Sequence, residues 1–159
     1  MQTASWKTRI ALLGMILILG SALTAAAQDP AAQGQPTLYE RLGGLMPITV
    51  VVSDFIDAMV PDPVLNANPA IDAARKRVPA PYLKYHVTAM VCQATGGPCQ
   101  YNGRGMYESH VHLNITESEW ERMLTIFKEV LARHQVPPGE TAELLDIVDS
   151  TKDDIVMKQ

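Results

Sequence analysis

Four histidines and two cysteines are the residues of this 159-residue chain best suited to bind a metal or to react. Only His110 sits in a segment that looks arranged for a ligand. Met106 to His110 is short, follows the glycine-rich turn at Gly103 and Gly105, and leads into Leu113 and Ile115. Met106 and His110 stand at i and i+4, so on a helix they share one face. A neutral imidazole aimed at an apolar interior is a good transition-metal ligand; a satisfied, partly buried histidine is the other reading of the same pattern. His112 follows by two positions, so on a helix the two rings diverge and do not chelate one ion together. It is expected at the surface. His134 falls at the end of an apolar-periodic stretch, where it interacts favourably with a helix dipole. His86 lies one turn from both Leu83 and Met90, at the edge of an apolar face.

The elements that must position these residues are helical. From Pro47, apolar residues Ile48, Val51, Val52, Phe55, Ile56 and Met59 recur with a 3.6-residue period, and Pro61-Asp62-Pro63 stops the pattern. Residues 61 to 81 hold five prolines and two asparagines, which predicts an irregular connection. A second helix is expected over Pro81 to Ala94, with Leu83, Val87, Met90, Val91 and Ala94 on one side, His86 at the edge of that side and Cys92 pointing nearly opposite to it. Gly96-Gly97-Pro98 ends it. Thr116 and Glu119 form a Thr-x-x-Glu capping box ahead of Trp120, Met123, Leu124, Phe127, Val130 and Leu131, a third helix running to about Gln135. After Pro137-Pro138-Gly139, the residues Leu144, Leu145, Val148, Ile155 and Val156 predict a last helix. No hairpin signal is present, so the fold class is all-α.

The first residues carry Lys7 and Arg9, an apolar run from Ile10 through Leu19, and small residues from Ser21 to Ala27. That is a signal-peptide pattern, too short to span a bilayer, with an A-x-A-like cleavage site before Gln28. Residues 1–27 are therefore expected to be a signal peptide, 28–37 a flexible linker, and 38–157 one folded domain that is exported and periplasmic, without a membrane span after cleavage. Beyond residue 27 the chain holds 11 basic and 17 acidic residues, which argues against nucleic acid as a partner. Cys92 and Cys99 are too few for a structural zinc or iron–sulfur site. In an oxidising compartment they close a disulfide if their geometry permits, and otherwise remain two free thiols.

Several motifs in fixed order resemble the group I truncated haemoglobins. They are Leu38-Tyr39-Glu40-Arg41-Leu42-Gly43-Gly44, then Gly96-Gly97-Pro98, Tyr101-Asn102-Gly103-Arg104, Met106 with His110, Leu113, and Ile115-Thr116. Val136-Pro137 and the run from Leu144 to Val156 extend the likeness. The resemblance implies a truncated globin fold, a two-over-two helical sandwich around haem b (iron protoporphyrin IX). No C-x-x-C-H signature of covalent attachment is present, so haem is expected to be held by ligation and packing. His110 matches the family's proximal histidine, the protein ligand to iron. Phe55, Ile56, Leu83, His86 and Val87 are expected to line the distal side, with Met90, Met106 and Phe127 as further lining. Met123 can serve the same way, and all these apolar residues also read as plain core.

The chain departs from the family pattern at Ile56, which stands where a distal tyrosine often donates a hydrogen bond to bound dioxygen. His86 and Tyr85 are the remaining distal donors, and His86 occupies a position from which some family members supply a second ligand to iron. Arg104 and Lys84 can meet haem propionates or simply be solvated. The expected function is reversible binding of a diatomic gas (dioxygen, nitric oxide or carbon monoxide), with a redox partner if the iron is to be reduced. Conversion of nitric oxide to nitrate, an activity of some family members, is weakened by the missing tyrosine. The alternatives are a bis-histidine His110/His86 electron-transfer protein and a haem-free helical binding module.

Overall fold

The computed structural model describes residues 34–157. The expected signal peptide, and residues 28–33 of the expected linker, lie outside them. Nine helices follow in order among the described residues: α1 Leu38–Arg41, α2 Leu45–Met59, α3 Pro63–Asn66, α4 Pro69–Arg77, α5 Ala80–Ala94, α6 Met106–His110, α7 Glu117–Arg133, α8 Pro138–Asp149 and α9 Lys152–Ile155, with a 3-10 turn at Val111–Leu113 after α6. The described residues form no sheet; one parallel bridge pairs Ile115 with Val156. No described helix is long and apolar enough to cross a membrane.

The hub is α2, which packs on both α5 and α7. Its buried stripe of Ile48, Val52 and Ile56 meets Leu83, Val87 and Val91 of α5, as the apolar period requires. A second cluster joins Leu38 of α1, Leu131 of α7 and Leu144 of α8. Arg41 reinforces it by bridging Glu140 at 3.0 Å and Glu143 at 2.6 Å. Two glycine pairs replace helix length at the corners. Gly43 and Gly44 both adopt positive φ, 87° and 83°, and turn α1 directly into α2. At the end of α5, a Cβ on Gly97 would lie 2.5 Å from the Tyr39 ring and 2.7 Å from the Cys92 carbonyl, so only glycine fits there.

The irregular connection expected over residues 61 to 81 is replaced by α3 and α4. The prolines that argued against order stand at helix starts, where their fixed φ is favourable and their missing N–H is not needed. Asp62, before Pro63, accepts from the amides of Val64 and Leu65, both at 3.0 Å. Asn68, before Pro69, accepts from Ala70 at 2.9 Å and Ile71 at 3.4 Å. The last expected helix is likewise divided into α8 and α9. Ser150 and Thr151 donate their hydroxyls to the Ile147 and Val148 carbonyls and break the run.

Asp62 is also the one buried carboxylate of this region. Arg122 of α7 grips it with Nε at 3.0 Å and Nη2 at 2.7 Å, tying the α2–α3 corner to α7. That guanidinium, helped by the two capped amides, holds the Asp62 carboxyl below its ordinary value of 3.8. Because the folded pKa lies below the unfolded one, the contribution to stability is complete above the unfolded value and is lost as pH falls through the folded value. Asp62→Asn keeps a capping oxygen but loses the charge. It is expected to lower the melting temperature at pH 7 by about 4 °C. The gap to the unmodified protein should close as pH is taken below about 4, as followed by circular dichroism.

Candidate functional site

His110 ends α6, a five-residue helix too short to hold its own shape in water. Its position is therefore set by a side-chain bond within the helix and by contacts from outside it. The ring Nδ1 lies 2.8 Å from the Met106 carbonyl. A carbonyl oxygen only accepts, so Nδ1 carries the proton, and in the neutral ring the lone pair is left on Nε2. The side chain is half-buried, and desolvation pushes the imidazole below its ordinary range despite the carbonyl, with His112 pushing the same way. A neutral imidazole with Nδ1–H bound to a backbone carbonyl and Nε2 available is the form that ligates metals. Met106 thus supplies the carbonyl that orients the histidine.

Three further ties fix the segment behind His110. Asn68 donates its amide to the Leu113 carbonyl at 2.9 Å while its oxygen caps α4. Met157 donates its N–H to the Ile115 carbonyl at 3.0 Å, beside the Ile115–Val156 bridge, and α9 packs on α6. Thr116 and Glu119 form the expected reciprocal capping box at the start of α7. Asn114 takes a left-handed conformation at φ 50° to turn between them. His112 is exposed, as expected.

The residues expected as distal lining lie on α2 and α5. Ile56 is 1% exposed, and Phe55, Leu83 and Val87 pack in the same cluster. Phe55 meets Phe127 of α7 edge to face at 5.2 Å between centroids. Phe127 and Val91 also line a mainly apolar cavity of about 480 Å³ between α2, α5, α7 and α8, together with Val51, Leu131 and Leu144, with Arg41 and His134 among its polar residues. Met90 and Met123 are half-buried.

His86 is half-buried, and its ring lies among three tyrosines: Tyr82 at 4.2 Å, Tyr85 at 5.1 Å and Tyr101 at 6.0 Å. Tyr85, the other expected distal donor, is 65% exposed. Lys84 is engaged with Asp57 at 2.7 Å, while Arg104 is exposed. His134 does more than meet a helix end. Its Nε2 lies 2.8 Å from Asp54 of α2, so it staples two of the long helices. Cys92 is fully buried and bonded to Cys99 across a Cα separation of 5.7 Å, so the disulfide expected as one of two outcomes is the one observed. No group of three or more His, Cys, Asp or Glu side chains among the described residues is placed to hold a bare metal ion.

The residues that sequence reasoning missed are Asn68, Asp54 and the Val156–Met157 strap. Asn68 had a usable signal, since an asparagine before proline is a helix-start pattern. Its bond to Leu113, 45 positions away, had none.

A bacterial-like globin family model matches residues 37–157, and the chain belongs to that family. Within it the chain belongs with the group 1 truncated haemoglobins. It is 30% identical over 123 residues to GlbN of Nostoc sp. (strain MUN 8820), a match covering 77% of this chain and 98% of that one. It is 23% identical over 138 residues to LI410 of Chlamydomonas moewusii, covering 86% of this chain and 77% of that protein. The fold matches the truncated haemoglobin of Tetrahymena pyriformis in its Fe(III) form with a TM-score of 0.66 at 21% identity, over 77% of this chain and all of that one. The all-α truncated globin fold expected from the motifs is therefore the fold observed.

The Asn68 amide separates the two jobs of that side chain. Asn68→Asp should retain the α4 cap but lose the donor to Leu113. Hydrogen exchange at residues 111–115 is then expected to quicken about 5-fold, as suits the loss of one ~1 kcal/mol hydrogen bond, while exchange in α4 stays unchanged.

Proposed function

We propose that this chain binds haem b non-covalently through His110 and takes up a diatomic gas, dioxygen, nitric oxide or carbon monoxide, on the side lined by α2 and α5. The observation that carries this reading is the His110 hydrogen bond to Met106, which commits Nδ1 and leaves Nε2 as the free donor atom. The residues present fit the group: His110 supplies one neutral imidazole, and Phe55, Ile56, Leu83, Val87 and Met90 supply apolar side chains on α2 and α5. When bound, haem supplies an iron centre at which a diatomic gas coordinates.

The chain's residues do the rest. Met106 fixes the ring's tautomer and orientation, and Asn68 and Met157 keep the short helix from swinging away. Ile56 offers no hydrogen bond where a hydroxyl would steady a polar ligand, so an uncharged diatomic molecule meets an apolar environment. The mainly apolar cavity beside Phe127, with Arg41, His134 and Gln135 also on its lining, suits the same class of ligand. Export through the N-terminal segment remains part of this reading, and the Cys92–Cys99 disulfide supports it, since such bonds persist mainly in oxidising compartments.

His110→Gly should weaken haem affinity about 100-fold or more, read from the Soret band during titration. Free imidazole should restore part of it, because the small ligand fills the space left by the ring. Far-ultraviolet circular dichroism should stay unchanged. Equal haem affinity in variant and unmodified protein would overturn the assignment.

A second reading makes His86 the sixth ligand. If the imidazole leaves its tyrosine neighbours for iron, the ferrous protein is low-spin without added ligand, and His86→Leu makes it high-spin and faster to bind carbon monoxide. The aromatic contacts of His86 favour the open site. The expected result is therefore a high-spin ferrous spectrum in both proteins, and a low-spin unmodified protein would establish the second reading.

A further inference from the structure

The charges of this acidic chain are strongly segregated. From residue 73 to residue 107 there are five basic residues, Arg75, Lys76, Arg77, Lys84 and Arg104, and no acidic one. The other residues from 28 onward carry six basic and seventeen acidic side chains. Four of the five tyrosines, Tyr82, Tyr85, Tyr101 and Tyr107, fall in the same acid-free stretch. Tyr82, Tyr85 and Tyr107 are 56%, 65% and 54% exposed, unusual for large aromatic side chains.

The fold gathers the core of this stretch on one surface beside the candidate site. His86 joins Tyr82 and Tyr85 of α5 to Tyr101, which stands on the loop leading to α6 and His110. That loop is held in place. The Tyr101 N–H donates to Gln93 at 2.7 Å, its hydroxyl donates to the Arg104 carbonyl at 2.8 Å, and the Cys92–Cys99 bond pins its start to α5. Arg77 ends α4 only five residues before Tyr82, within about 18 Å along the chain. Arg75 and Lys76 share Asp72 and Lys84 pairs with Asp57, so these three cations meet two carboxylates and keep one net positive charge, whereas no described ion pair engages Arg77 or Arg104.

We infer that this preformed, positively charged tyrosine face is the docking site for an acidic one-electron carrier protein. Exposed tyrosine and arginine around a small rigid patch are what transient protein interfaces use, and redox encounters are the smallest of these. The like-charged remainder of the chain repels an acidic partner elsewhere, so the segregated charge orients it on this face. The role rests on the haem reading above. The carrier gives up one electron and is oxidised, ferric iron becomes ferrous, and no atom is transferred.

The test uses the full chain with two probes, an acidic [2Fe–2S] ferredoxin and a basic cytochrome c, with binding read by heteronuclear NMR shifts. The ferredoxin should bind with shifts centred on Tyr82, Tyr85 and Tyr101, and its affinity should fall about ten-fold when salt is raised from ~20 to ~200 mM. Arg77→Glu and Tyr82→Ala should each weaken it about five-fold or more, while the same charge reversal on α7, Lys128→Glu, changes it less than about two-fold. Cytochrome c should not shift this face. Ferredoxin binding indifferent to Arg77→Glu and Tyr82→Ala, or shifts centred elsewhere, would overturn the inference. So would binding of phosphatidylserine vesicles at this face without ferredoxin binding. Haem loading is measured separately from the Soret band, so a protein that binds ferredoxin but never haem contradicts the haem reading alone.

Discussion

The site depends on a constraint of length. A five-residue helix cannot keep its hydrogen bonds against water by itself, yet the proposed ligation by His110 requires α6 to hold that ring within about 0.5 Å of a productive position. The chain meets this by closing the segment at every free carbonyl that matters. His110 takes the carbonyl of Met106, Asn68 takes that of Leu113, and Met157 takes that of Ile115. The first pair lies within α6 itself, while the other two partners come from the start of α4 and from the C-terminal strap. The position of His110 is thus a property of the whole described body, and it inherits the stability of α4, α7 and the C-terminal strap.

One helix, α5, serves three neighbours with three faces. Leu83, Val87 and Val91 close the core against α2, His86 faces the tyrosines, and Cys92 anchors the loop that leads to α6. That division follows from the 3.6-residue period. It explains why an apolar face and a basic aromatic surface stand side by side without mixing. The same helix would then shield a bound gas on one side and meet a partner on the other.

The long helices were legible because their apolar periodicity reports the core directly: α2, α5 and α7 fall within about two residues of their expected limits. The Thr116 capping box was legible for the same local reason. The segment from 61 to 81 was misread because five prolines weigh towards irregularity when counted, and towards helix starts when placed after Asp62 and Asn68. His134 shows the limit of local patterns more sharply. Its helix-end position was visible, but its bond to Asp54, 80 positions earlier, exists only once α2 and α7 are packed. His110 could be singled out from its neighbours; the carbonyl that fixes its tautomer needed coordinates.

The central claim is that His110 presents Nε2 to iron while Nδ1–H stays bound to Met106. Nitrogen-15 NMR of protein labelled in its histidine rings tests it directly, first without haem and then with carbon monoxide-saturated ferrous haem, which is diamagnetic. The account predicts a neutral His110 ring protonated at Nδ1 in both states, with its Nε2 resonance shifting on haem addition. A ring protonated at Nε2 without haem, or an Nε2 shift that falls on another histidine, would contradict it.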